Sequence, residues 1–152
     1  SHGGTAMVLG LNEKTATPGN AVKAMLLATI FNLRLGSNRL DEQGYPRTEI
    51  ILSGGLVKTP ELGQLVANAF NTPVIIFEGG DEGTAWGAAL MAKFRHESIA
   101  GRTTDWKKFL EAQQTGSPTR FSPHAKAVQT LNSVFNRYEK LVRMHGQLEA
   151  VT

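Results

Sequence analysis

Two short apolar runs, each ended by turn residues, constrain the fold of this chain more than any other feature. Residues 48–53 (TEIILS) and 73–77 (PVIIF) have the length and the branched side chains typical of buried strands. Between them, apolar residues recur at steps of three and four, which predicts one amphipathic helix. These residues are Leu62, Leu65, Val66, Ala69 and Phe70. A strand, a helix and a strand joined by short loops predict a parallel crossover unit of an α/β fold.

Residues with specific preferences mark the ends of the predicted helices. Thr59 suits the N-cap of the crossover helix, Pro60 its first position and Asn71 its end. Residues 20–40 predict a long, well-buried helix before the first strand. Residues 84–95 predict a helix after the second strand, so that the unit reads strand–helix–strand–helix. The small residues of this last helix, at positions 87–89, are expected to face inward.

The rest of the chain predicts a linker and a helical tail. Residues 98–120 are punctuated by glycine, serine, threonine and proline and contain one short helix. The segment after them predicts a long helix that Gly146 ends. Its apolar stripe consists of Val128, Leu131, Phe135, Tyr138 and Leu141. We therefore divide the chain into an α/β part (residues 1–97), a linker with a short helix (98–120) and a C-terminal helix (121–152).

Composition excludes several classes of function. The absence of cysteine excludes disulfides, thiolate chemistry and cysteine-ligated metal. No apolar run approaches the ~20 residues of a membrane span, and no signal segment begins the chain, so we expect a cytoplasmic protein without a membrane partner. The excess of basic residues lies in residues 98–152, with eight basic and four acidic side chains. They are spread thinly along this segment, as on a solvated helix face, rather than gathered in a basic patch, which argues against a nucleic-acid partner.

Ser53, Gly54 and Gly55 form the strongest candidate for a binding site. At the carboxyl end of a parallel strand, a glycine pair lets a ligand approach the backbone, and the following helix offers N–H groups and a positive dipole end. A tight turn without a ligand would use the same residues. The motif matches neither GxxxxGK followed by Ser or Thr nor GxGxxG. Spacing alone leaves both interpretations open.

A second glycine-rich segment, residues 78–83 (EGGDEG), is acidic. Carboxylates beside glycines are compatible with metal or hydroxyl binding, but acidic residues are also favourable at a helix N-terminus. We favour the structural interpretation. The four histidines are scattered without the spacing of zinc ligands, and no nucleophile elbow is present. The sequence therefore predicts neither a catalytic residue nor a metal site in this chain.

Taken together, these segments resemble the C-terminal domain of the FGGY carbohydrate kinases, most closely the xylulose kinase-like branch. Residues 48–71 (TEIILSGGLVKTPELGQLVANAFN) are similar to the family's strand, Gly-Gly turn and helix. Residues 73–92 (PVIIFEGGDEGTAWGAALMA) are similar to its last strand, its turn containing glutamate and its Gly-Ala-Ala helix. Residues 20–36 resemble the helix before the Gly-Gly strand, and residues 121–123 (FSP) resemble the Phe-x-Pro start of its C-terminal helix.

The resemblance implies a fold and a nucleotide site. The fold would be a fragment of a C-terminal ribonuclease-H-like domain of the actin-like ATPase type, with the parallel strand–helix–strand–helix unit and a C-terminal helical tail. Gly54 and Gly55 would approach the adenosine part of ATP. Thr59 would lie beside the adenine, and Ser53 and Leu56 would flank the pocket.

Two departures from the family pattern affect the expected function. Leu27 and Ala28 stand where the family usually has Glu-Gly. The family's phosphate-binding motif and its general-base aspartate are not in this chain, and phosphoryl transfer needs phosphate clamping, Mg²⁺ and a positioned nucleophile. The absent N-terminal domain would supply most of the contacts to Mg²⁺ and to the sugar.

We therefore expect the adenosine-contacting part of an ATP-dependent carbohydrate kinase that phosphorylates a pentulose or related sugar, inactive by itself. One alternative is a stand-alone nucleotide-binding or protein-interaction module that docks through the aromatic tail helix. Another is a different actin-like ATPase. A homo-oligomer is compatible with each of these hypotheses.

Overall fold

The computed structural model describes residues 7–113 and 116–149. The described helices are α1 (Pro18–Glu42), α2 (Pro60–Phe70), α3 (Gly83–Ile99), α4 (Trp106–Gln113) and α5 (Ala125–Glu149). The strands are β1 (Ile50–Ile51), β2 (Val74–Ile76) and β3 (Thr119–Phe121), and two 3-10 turns span Gly54–Lys58 and Gly80–Glu82. Residues 1–6, 114–115 and 150–152, which belong to the three predicted segments, lie outside the described residues. None of the five helices has the length and apolar content needed to cross a membrane.

The three strands form one mixed sheet in the order β1-β2-β3. β1 runs parallel to β2, with Ile50 opposite Val74. The prediction of a parallel strand–helix–strand–helix unit within an α/β fold is therefore confirmed. β3 is antiparallel to β2 and places Phe121 opposite Val74. This strand was not predicted because its three residues, of which two are polar, carry no apolar run.

α2 matches the prediction at both ends and on its buried side. Thr59 is the N-cap residue, although its side chain makes no capping hydrogen bond, and Asn71 closes the helix with φ 50° and ψ 42°. Asparagine tolerates this left-handed conformation better than most residues. Val66 and Ala69 of the predicted stripe are buried, together with Ala67. Burying a side chain of the size of Val66 contributes about 1.5–3 kcal/mol.

The described residues fall into two compact units. In one of them, residues 7–46 and 125–149, helices α1 and α5 pack through Phe31, which is almost fully buried. The ring centroid of Phe31 lies 5.3 Å from that of Phe135 and 5.6 Å from that of Tyr138. The guanidinium of Arg34 lies 4.1 Å from the centroid of Phe135.

Val128, Leu131 and Phe135 of the predicted α5 stripe are buried, whereas Leu141 is 39% exposed. α5 continues through Gly146 to Glu149, so the prediction that Gly146 ends the helix is wrong.

The other unit, residues 47–124, contains the sheet together with α2, α3 and α4. In it, α2 holds the segment around β3 by apolar packing and by hydrogen bonds, one of which Gln64 donates to the carbonyl oxygen of Ser122 at 2.8 Å. Gly63 lies against the ring of Phe121, where a Cβ would be 2.6 Å from Cε2. The buried Asn68 accepts the backbone N–H of His124 through Oδ1 at 2.8 Å. A hydrogen bond of this kind contributes about 0.5–1.5 kcal/mol, so this contact favours one position of the segment.

We expect Gly63→Ala to destabilise the chain, because the added methyl group collides with a packed aromatic ring. The matched control is Gly87→Ala, a helical glycine of the same unit whose added Cβ has no neighbouring atom within 4 Å. The collision should leave Gly63→Ala less stable than the control by about 1–3 kcal/mol in free energy of unfolding. Urea denaturation measures this difference, and equal stability of the two variants would contradict the packing described here.

Candidate functional site

The parallel pairing of β1 and β2 brings two glycine-rich turns to one edge of the sheet. The Gly-Gly turn (Gly54–Lys58) follows β1, and the acidic turn (residues 78–83) follows β2; they contact each other. A Cβ on Gly80 would lie 3.7 Å from the carbonyl oxygen of Leu52. Ligands of open α/β sheets bind beyond the carboxyl ends of parallel strands. The two turns that were considered separately in the sequence therefore belong to one region.

The backbone of the Gly-Gly turn lies open on its outer side. Gly54 has φ +78°, a conformation that side chains rarely adopt, which explains the glycine at this position. Gly55 has no such requirement, and a Cβ on either glycine would meet no heavy atom within 4 Å. Ser53 and Thr59 are exposed, and Leu56 is 41% exposed. A flat ligand could therefore lie directly against this turn.

A cleft of about 980 Å³ adjoins the two turns. Its walls come from the end of β1, the acidic turn, the first half of α3, the end of α4 and the residues just before β3. The lining side chains include Ile51, Ser53, Phe77, Trp86, Leu90 and Leu110. Ser53 is the only predicted site residue in this lining. Gly54, Gly55, Leu56 and Thr59 lie outside it.

Two close approaches shape the cleft, and neither was foreseen. A Cβ on Gly83 would lie 3.1 Å from Cβ and 3.3 Å from Oγ of Ser53, so the glycine lets α3 begin close to the serine without crowding its side chain. The carboxyl group of Glu78 occupies the space that a side chain on Gly116 would take. The third glycine of EGGDEG was the available signal for the first contact. The contact between Glu78 and Gly116 joins residues 38 positions apart, so no local sequence pattern indicates it.

The charge around the cleft is negative. Glu78, Asp81 and Glu82 belong to its lining, and no lysine, arginine or histidine does among the described residues. Negative charge repels phosphate groups at short distance. Nor do three or more histidine or acidic side chains converge as metal ligands anywhere in residues 7–113 and 116–149. This region is therefore suited to a neutral part of a ligand rather than to its phosphates.

Three expectations about burial are wrong. α1 was predicted to be well buried, yet Val22 and Met25 are each more than half exposed. Ile51 is 61% exposed, so β1 is not buried on both faces. Ala88 and Ala89 are exposed as well, and α3 has no buried residue. The predictions were based on apolar composition. Apolar residues indicate that a surface favours burial, but they do not indicate which element buries it. Within the described residues, nothing covers this side of β1 and α3.

Comparison with known proteins identifies a consistent group of similar sequences. Residues 2–95 match the sequence profile described as the FGGY family of carbohydrate kinases, C-terminal domain. A xylulose kinase of Haemophilus influenzae is 31% identical over 87 residues, which cover 57% of this chain and 17% of that protein. A ribulokinase of Mycolicibacterium smegmatis is 27% identical over 125 residues, which cover 82% of this chain and 21% of that protein. The chain thus spans about a fifth of the length of these relatives.

The fold is also found among solved structures. A ligand-bound xylulose kinase from Lactobacillus acidophilus superposes with a TM-score of 0.74 at 23% sequence identity. The match covers 92% of this chain and 28% of that one. At this identity the likeness establishes a shared fold.

The two glycines of the Gly-Gly turn should differ in their tolerance of alanine. We expect Gly54→Ala to lower the free energy of unfolding by about 1–2 kcal/mol, because alanine is strained at positive φ. Gly55→Ala is the matched control and should shift it by less than about 0.5 kcal/mol. Chemical denaturation of both variants checks the difference. A larger loss for Gly55→Ala would contradict the backbone conformation of this turn.

Proposed function

This chain belongs to the FGGY family of carbohydrate kinases, in which it forms part of the C-terminal domain, and we propose that it contacts the adenosine of ATP. The complete protein would transfer the γ-phosphoryl group of ATP to a hydroxyl of a pentulose or related sugar. The names of the relatives, a xylulose kinase and a ribulokinase, support this class of substrate. The fold would be the C-terminal ribonuclease-H-like half of an actin-like ATPase, working in the cytoplasm.

The open backbone of the Gly-Gly turn is the observation that carries the proposal. Gly54 and Gly55 present peptide groups with no side chain and no neighbouring atom in front of them. A planar base and a ribose can pack against such a surface at van der Waals distance. Leu56 offers an exposed apolar side chain beside it, and Thr59 offers a hydroxyl. Ser53 connects the turn to the adjoining cleft.

The charges of the region support a position of the phosphates and Mg²⁺ in another part of the protein. Phosphoryl transfer needs cationic or metal clamps on the phosphates. The cleft beside the Gly-Gly turn carries Glu78, Asp81 and Glu82 instead. We therefore propose that the nucleoside end of ATP faces this chain and that its phosphates point away. Mg²⁺ would neutralise the phosphate charge, held mainly by residues outside this chain.

If another part of the protein holds the phosphates and Mg²⁺, the chain is inactive by itself. It contributes an adenosine surface, whereas the phosphate clamp, the general base and most of the sugar pocket would come from the N-terminal domain. In domain terms, residues 1–97 would be the α/β part, residues 98–120 a linker with a short helix, and residues 121–152 a helical tail. A stand-alone nucleotide-binding or protein-interaction module remains the second candidate.

Gly55→Val in the complete protein tests the adenosine surface. A Cβ at this position meets no heavy atom within 4 Å, and the valine side chain would project into the space proposed for adenosine. We expect the Kd for ATP to rise about tenfold or more, equivalent to 1.4 kcal/mol, with the affinity for sugar unchanged. Gly19→Val is the matched control, since its Cβ also meets no atom within 4 Å but lies far along the chain. Unchanged ATP affinity in Gly55→Val would refute the proposed surface.

Titration calorimetry separates the two candidate functions. A non-hydrolysable ATP analogue with Mg²⁺ is titrated into the 152-residue chain and into the complete protein. We expect clear binding by the complete protein and weak or undetectable binding by the chain, because the chain lacks a phosphate clamp. Tight binding by the chain alone would favour the stand-alone module and remove the main support for the kinase proposal.

A further inference from the structure

The Gly-Gly turn carries one lysine, and the position of this lysine relative to Gly55 follows from the geometry of the turn. Gly54–Lys58 is a 3-10 helix. Side chains three positions apart eclipse each other in such a helix, so Gly55 and Lys58 share one face. A Cβ on Gly55 would meet no heavy atom within 4 Å. The open space in front of Gly55, which is the space proposed for adenosine, therefore lies beside the Lys58 side chain.

This face differs from the one that packs on the acidic turn. Gly54 and Val57 share the neighbouring face of the 3-10 helix. Cγ1 of Val57 lies 4.0 Å from the position of a Cβ on Gly80, so that face is directed at the acidic turn. Val57 is partly buried, whereas Lys58 is exposed. Lys58 thus lies on a face other than the one directed at the carboxylates.

The ammonium group of Lys58 has no protein partner in residues 7–113 and 116–149. It takes part in none of the hydrogen bonds or ion pairs of these residues. Lys58 is also the only lysine, arginine or histidine in the two turns, residues 54–58 and 78–83. A lysine is a compact point charge on a flexible four-carbon stem, so it can reach an anion beside the turn.

The covalent structure of ATP brings an anion to this place. The α-phosphate is bonded to the ribose, so it lies at the edge of an adenosine that packs against Gly55, wherever the β- and γ-phosphates are held. The carboxylates of the acidic turn disfavour a phosphate on the side of the cleft. Of the two turns, only the Gly-Gly turn offers a positive charge, and it does so through Lys58.

We propose that Lys58 is a further nucleotide-binding residue, which contacts the α-phosphate and makes the site prefer a nucleotide to its nucleoside. This assignment rests on the proposed function, because it requires adenosine on the Gly-Gly turn. It concerns the first phosphate alone. The β- and γ-phosphates, together with Mg²⁺, stay with the clamps of the rest of the protein.

AMP and adenosine isolate this contact, because they differ by the α-phosphate alone. Their Kd values are measured by titration calorimetry with the complete protein. We expect Lys58→Met, which removes the charge but keeps a long side chain, to raise the Kd of AMP about three- to tenfold and to leave that of adenosine unchanged. Lys58→Arg should keep the Kd of AMP within a factor of about two, because the positive charge remains. Lys107→Met is the matched control, since it removes an exposed lysine of the same unit that lies outside both turns.

Ionic strength gives a second readout, which a purely structural role of Lys58 would not change. Raising the salt concentration from about 0.05 to about 0.5 M should weaken AMP binding more in the wild type than in Lys58→Met, because salt screens the contact between charges. An equal loss of AMP and adenosine affinity in Lys58→Met would place the lysine on the base and overturn the proposal. Unchanged AMP affinity in Lys58→Met would make Lys58 a solvated surface charge and overturn it as well.

Gly55→Val separates this assignment from the proposed function. If Gly55→Val weakens AMP and adenosine alike while Lys58→Met changes neither Kd, the adenosine surface stands and only the role of Lys58 is refuted. If Gly55→Val changes neither Kd, the adenosine surface itself is refuted, and the role of Lys58 is refuted with it.

Discussion

The parallel pairing of β1 with β2 is the contact on which the remaining features of the sheet-containing unit depend. It aligns Ile50 with Val74 and places the carboxyl ends of both strands at one edge of the sheet. The Gly-Gly turn and the acidic turn meet there only because of this alignment, and α3 begins against Ser53 for the same reason. Were the strands antiparallel, the two turns would lie at opposite ends and no shared region would exist.

Burial differs strongly between the neighbouring strands of this sheet. Val74 of β2 is fully buried, whereas Ile51 of β1 is 61% exposed. α2 and β3 both contact β2, which accounts for its burial. β1 and α3 instead border the cleft. One unit thus contains two open surfaces, the outer side of the Gly-Gly turn and the cleft beside it.

The charge distribution joins the structural and the functional arguments. A protein that handles ATP must hold a highly charged triphosphate, and this demands cations close to it. The lining of the cleft carries carboxylates and no basic residue in the part of the chain that the structure describes. Under the proposed function, this charge would suit the nucleoside end of ATP better than its phosphates.

Local patterns in the sequence determined the helices, the crossover unit and its turns. The stripe of α2, Thr59 at its start and Asn71 at its end were predicted because each depends on neighbours within one or two turns of helix. Tertiary structure alone decided the pairing of β3, the approach of Gly83 to Ser53 and the exposure of α3. These features depend on contacts between residues far apart in sequence, and an apolar residue carries the same signal whether or not a partner is present to cover it.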